Sequence, residues 1–129
     1  DGRRYDGPFG PFKLIYRNIC HQGMFFPRDL LASTPFSLRF PVFADWAKNI
    51  ELMAAVPYQY LPLDVCLYNS TSGISRHRHD REFERAKGHL FREHYGLAHE
   101  FLSRTAWLPT WVYKTLGRPT ARGYQSEEQ

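Results

Sequence analysis

The chain has 129 residues, enough for one domain with a modest core, and 43% of them are hydrophobic, which excludes wholesale disorder. Seventeen Lys and Arg against thirteen Asp and Glu leave a net charge of +4. That excess suits an anionic partner but is too small to choose among a nucleotide diphosphate, an acidic membrane surface and nucleic acid. No RNA-recognition signature is visible, and no run reaches the roughly 18 apolar residues of a membrane span.

Residues 1–12 are dense in Gly and Pro and read as a loop. The chain starts at Asp1, without Met, inside this charged and Gly-rich stretch, which suggests a piece of a longer protein. A short helix is expected over 13–18. The apolar run 19–26 encloses Cys20, His21 and Gln22, and part of it is expected to be a buried strand. Pro27 suits a first helical position, so a short helix follows through Leu31 and stops at Ser33, Thr34 and Pro35. Residues 43–54 predict a helix, because Trp46, Ile50 and Met53 fall on one face while Lys48 and Glu51 fall away from it. Asp45 stands in its first turn, where the helix dipole favours a carboxylate.

Residues 58–68 have strand-like composition, with Pro62 pointing to an edge or a bulge. A loop follows over 69–73. A further helix is expected over 80–95, with Phe83, Ala86, Leu90 and His94 in one stripe. Asp80, Glu82 and Glu84 open it, Arg92 lies near its end and Gly96 is the stop. Another helix is expected over 98–116, interrupted near Pro109, before a frayed tail. Cys20 and Cys66 sit in apolar stretches without the paired spacing of a zinc site, and both are expected as buried thiols, with a disulfide as the alternative.

The run Arg17-Asn18-Ile19-Cys20-His21-Gln22-Gly23-Met24-Phe25-Phe26, with Arg28-Asp29-Leu30-Leu31 after it, resembles a segment of bacterial family-2 glycosyltransferases of the GT-A fold. Phe36-Ser37-Leu38-Arg39-Phe40, then Ala44-Asp45-Trp46, then Tyr68 through Gly73-Ile74-Ser75 are similar to successive motifs of that family. Thr71-Ser72-Gly73 departs from its usual double glycine. The ordered set covers residues 14–95 and is more specific than any member. The fold it implies is α/β: the C-terminal part of a nucleotide-diphospho-sugar transferase, with a few-stranded mixed sheet and C-terminal helices. Residues 1–96 would be the acceptor-side part of the transferase domain, and 97–129 a helical extension and tail.

The function implied is inverting transfer of a sugar from a nucleotide-sugar donor to a glycan or lipid-linked acceptor. It would take place in the cytoplasm, or peripherally at the inner face of the membrane, with no nucleic acid involved. Such enzymes hold a divalent metal, Mg or Mn, through an Asp-x-Asp motif in an N-terminal half. That motif is absent from these 129 residues, no metal ligand is assigned here, and the chain alone is expected to be inactive.

Inversion needs a carboxylate that takes the acceptor's proton, and Asp45 is assigned that role. Position alone would make Asp45 a helix cap, worth about 1 kcal/mol. His21 and Gln22 are candidates for contact with the donor, Arg28 for phosphate or, more commonly, a structural carboxylate, and Trp46 for stacking on a sugar ring, although core packing suits Trp46 better. Gly73 and Ser75 would belong to a loop near the donor. Arg76, His77, Arg78, His79 and Arg81 form a basic cluster, most simply a solvated face. With Trp107, Trp111 and Tyr113 it also suits an alternative, a non-catalytic basic module for RNA or an anionic membrane surface.

Overall fold

A computed structural model of the protein describes residues 7–66 and 78–105. Among the described residues there are five α-helices: α1 (Pro11–Tyr16), α2 (Arg28–Ser33), α3 (Ala44–Ala55), α4 (Arg81–Tyr95) and α5 (Leu97–Thr105). A single 3₁₀ turn, His21–Gly23, lies between α1 and α2.

The local sequence explains the ends. Pro11 opens α1, where its missing N–H costs nothing. Asp80 caps α4 by accepting from the Phe83 N–H, Glu82 and Glu84 fill its first turn, and Arg92 and His94 its last. Gly96 follows at φ +88°, a conformation that favours glycine, and α5 starts immediately after it.

The core lies where α1, α3 and α4 meet. Leu14 and Ile15 come from α1, Ala47, Ile50 and Met53 from α3, and Phe83, Ala86 and Phe91 from α4, with Phe40 from the preceding loop. Phe83 is completely buried, with the rings of Phe40, Phe43 and Trp46 around it at 5.3–5.7 Å between centroids. Burying one such ring stabilises by roughly 1.5–3 kcal/mol. On the other side of α4, α5 packs closely. A Cβ at Gly88 would meet the Arg104 side chain at 3.1 Å, so the small residue admits this approach. Glu100 holds Arg104 at 2.8 Å and faces Arg92 at 3.8 Å.

The expected α/β fold with a mixed sheet is corrected by this structure. Among the described residues there is no strand. Residues 58–66 form neither helix nor strand, and Tyr58, Tyr60, Leu61, Leu63 and Val65 are all exposed. Pro62 removes a ladder donor, and the Leu63 N–H turns back to the Leu61 carbonyl at 2.8 Å. β-type composition makes a strand only where a neighbour accepts its hydrogen bonds. Residues 67 and 68, and the C-terminal part of the helix expected over 98–116, lie outside the described residues. The run 19–26, expected in part as a buried strand, holds the 3₁₀ turn instead, and His21, Gln22 and Gly23 are exposed.

Smaller expectations also change. Cys66 is exposed and Cys20 half-buried, rather than both buried. Lys48 does not point freely into solvent. It is 4% exposed, with its ammonium 2.7 Å from Glu51. In α4, Phe91 joins Phe83 and Ala86 in the core, a position that the expected stripe left out.

Candidate active site

The first turn of α3 carries the site. Phe43 is the residue that caps α3, and its side chain makes no capping bond. Asp45 stands two positions further on, so it is not the cap. Its Oδ1 accepts from the Trp46 N–H at 2.8 Å, and its Oδ2 accepts from the Asn18 side-chain amide at 2.9 Å. His21 Nδ1 lies 3.6 Å from the same Oδ2. The Asp45 side chain is 25% exposed and that of His21 64%, so the carboxylate is fixed on the protein side and open on the other.

Asn18 is itself held. Asn49, one turn beyond Asp45 on α3 and 1% exposed, donates from Nδ2 to Asn18 Oδ1 at 2.8 Å, and more weakly to the Ile19 carbonyl at 3.4 Å. Polar side chains thus lay the segment 18–21 against α3, and Ile19 within it packs on the core. The other side of that start is tied down by Asp80. Its Oδ2 accepts from the N–H groups of Val42 and Phe43, at 3.0 and 3.2 Å.

Among the residues singled out in the sequence, the structure brings together Asp45 and His21. Gln22 shares the 3₁₀ turn with His21 and is exposed. Arg28 opens α2, also exposed. Trp46 turns inward: its indole N–H donates to the Leu14 carbonyl at 2.8 Å, and its ring packs near Phe43 and Phe83. The Lys87 ammonium lies 4.1 Å from the centre of that ring. Burial pushes the Lys87 amine down to about 8, against the opposing pull of Glu84. Gly73 and Ser75 lie outside the described residues, as do Arg76 and His77 of the basic cluster, whereas Arg78, His79 and Arg81 are exposed.

Asn18 and Asn49 were not singled out as site residues. The four-residue spacing from Asp45 to Asn49 places both on one helix face and was the available signal. Nothing comparable marked Asn18, whose partners are 27 and 31 residues away.

A groove of about 230 Å³ on another side of α3 is lined by Arg39, Phe40, Lys48, Glu51, Leu90 and His94, and does not include Asp45. Two of its cations are already committed, Arg39 to Glu82 and Lys48 to Glu51. No group of three or more His, Cys, Asp or Glu among the described residues could hold a metal ion. His21 and Asp45 are two such groups, short of the set a divalent metal needs. No helix among them is long and apolar enough to cross a membrane.

The chain is similar to named glycosyltransferases. A PGL/p-HBAD biosynthesis glycosyltransferase of Mycobacterium bovis and one of Mycobacterium tuberculosis are each 38% identical to it over 84 residues. The match covers 62% of this chain and 33% of each relative, so the chain spans about a third of the length of the curated relatives it matches. No protein-family model matches the chain, and no solved structure does. The likeness therefore reaches glycosyltransferases as a class, and does not extend to family 2 or to the GT-A fold.

The arrangement at α3 suits one kind of chemistry in particular. A carboxylate fixed by two donors and open to solvent beside an imidazole can take a proton from an approaching hydroxyl.

Proposed function

We propose that this chain supplies the acceptor side of a glycosyltransferase and that Asp45 is its general base. The observation that carries the reading is the Asp45 carboxylate itself: held by Asn18 and the Trp46 N–H, open to solvent, and next to His21. The likeness to the mycobacterial glycosyltransferases supplies the reaction class.

In the proposed step the acceptor hydroxyl approaches Asp45 from the solvent side. Asp45 takes its proton as the oxygen attacks the anomeric carbon of a nucleotide-sugar donor. The new carbon–oxygen bond forms on the face opposite the bond that breaks, so the configuration inverts. The bonding pair leaves with the nucleoside diphosphate. His21, beside Oδ2, steadies the protonated carboxyl and can pass the proton on to solvent.

The donor diphosphate, and any divalent ion that would neutralise it, are assigned to a part of the enzyme other than these 129 residues. The described residues do not gather the ligands for such an ion, and no step is routed through one. For the acceptor we propose a glycan or a lipid-linked molecule, met in the cytoplasm or at the inner face of the membrane. On this reading the 129 residues alone do not turn over.

The test is Asp45→Asn in the full-length protein. Release of nucleoside diphosphate is measured, and the product's anomeric configuration is read by NMR. Transfer is expected to fall by about 10²–10⁴-fold, the range typical of a lost general base, with the wild-type product inverted. A variant that transfers at the wild-type rate would remove Asp45 from the mechanism. A product that retains the donor configuration would rule out a direct displacement.

A further inference from the structure

We infer that Asn49 is a positioning residue that acts on Asp45 through Asn18. The inference rests on the reading of Asp45 as the base and adds two residues that make no contact with substrate in that reading.

The direction of the hydrogen bonds carries the argument. A backbone carbonyl can only accept. The group that Asn49 turns toward the Ile19 carbonyl is therefore its NH₂, and the same NH₂ reaches Asn18 Oδ1 at 2.8 Å. This fixes which way round Asn18 lies. With Oδ1 turned to Asn49, its NH₂ faces Asp45 and donates to Oδ2 at 2.9 Å. Reversed, Asn18 would present an oxygen to a carboxylate oxygen, and the pair would repel. The orientation of Asp45 is thus set two bonds away, by a backbone carbonyl and a side chain that is 1% exposed.

Burial makes this arrangement selective. A buried amide that loses its partner is destabilising, so Asn49 does not swing away to another geometry at little cost. It sits one helical turn from Asp45 on a rigid element, and 18–21 is the segment that brings His21 to the same carboxylate. Asn49 therefore governs two things at once: the rotation of the Asp45 carboxylate and the seat of the segment that carries His21.

A double-mutant cycle in the full-length protein separates positioning from packing. Asn49→Ala and Asn18→Ala are each expected to lower kcat by about tenfold to a hundredfold, the cost of a slightly misplaced reacting group. KM is expected to stay within the error of the wild type, because neither side chain binds donor or acceptor. The double variant is expected to be no slower than the worse single one, because both cut the same chain. Asn49→Leu keeps roughly the volume and removes the donor without burying a charge, so it is expected to lose rate like Asn49→Ala. A packing role would leave it active. Asn18→Ala breaks the chain at its less buried link, so the test survives if the Asn49 variants do not fold. Losses that multiply in the double variant, or that fall on KM, would overturn the inference. So would wild-type kcat in both single variants while Asp45→Asn is inactive, and that outcome leaves Asp45 as the base. Full activity of Asp45→Asn would sink the underlying reading instead.

Discussion

Two aspartates stand at the starts of two neighbouring helices, and they do different work. Asp80 is 3% exposed, and its two oxygens accept from three backbone N–H groups, of Phe83, Val42 and Phe43. Asp45 has one backbone donor, the N–H of its neighbour Trp46, and otherwise meets side chains, Asn18 and His21, on a surface it partly shares with solvent. Asp80 caps α4 and also ties down the residues that lead into α3. Asp45 caps nothing. A carboxylate consumed by the backbone is a structural part, whereas one that is held by side chains and left open is available for chemistry.

The largest effect that can break this contrast comes from removing each carboxylate in turn. Asp45→Asn is expected to lose about 10²–10⁴-fold in transfer rate with little change in melting temperature. Asp80→Ala is expected to do the reverse. It leaves three N–H groups without their acceptor and loses a helix cap, which together cost about 2 kcal/mol or more, while the folded protein keeps most of its rate. Thermal melts and initial rates on both variants check the pair. If Asp80→Ala were the less stable by nothing and the slower by orders of magnitude, the contrast would be inverted.

The pH dependence of stability sharpens the same contrast with a smaller effect. Burial alone would raise the Asp80 pKa, but the backbone N–H groups it accepts from, Phe83's foremost and then those of Val42 and Phe43, outweigh it and hold the carboxyl below its ordinary value of 3.8. The unfolded chain therefore takes up this proton first as pH falls. The stabilisation is complete above about pH 4, and is lost as the pH drops through the lower, folded-state value. Denaturant melts at pH 6 and pH 3 are expected to show wild type and Asp80→Asn drawing together at the acid end. A gap that stayed constant would mean that the charge on Asp80 is not what holds the two helix starts.

The helices were legible in the sequence because their signals are local. The spacing of Trp46, Ile50 and Met53 and the acidic start at residues 80–84 each place an element without knowledge of its neighbours. The sheet was misread because a strand is not a local object. Residues 58–66 have the composition for one, but no adjacent edge among the described residues, and Pro62 removes a donor. At the site, Asp45 and His21 came from resemblance to known motifs. Asn18 and Asn49 could not, since what makes them matter is a hydrogen-bond direction across some 30 residues of chain. The same limit explains Lys48, which a helix period turns to solvent and a neighbouring carboxylate holds in place.

The smallest expected effect lies on the contact that joins the two helices. Lys87 of α4 sits over the ring of Trp46, the residue after Asp45. Burial lowers its amine from 10.5 to about 8. Below pH 8 the folded and unfolded chains both carry the proton, and the folded one bears the cost of keeping it out of water. Between 8 and 10.5 the folded chain has shed the proton and the unfolded chain has not, so stability rises with pH. Tyr95 sets the upper end. Burial, and after it the nearby Tyr58, pushes its hydroxyl up from 10.0 to about 12, so above pH 10 the unfolded chain ionises first and stability falls again. Wild type is therefore expected to gain slightly from pH 8 to 10, and Lys87→Met to be flat there and no less stable at pH 7. A wild type that is flat across that window, or a Lys87→Met variant that is clearly weaker at pH 7, would show that the ammonium's attraction to the Trp46 ring exceeds the cost of its burial. The contact would then be a clamp on the start of α3, and would belong with Asp80 among the groups that hold Asp45 in place.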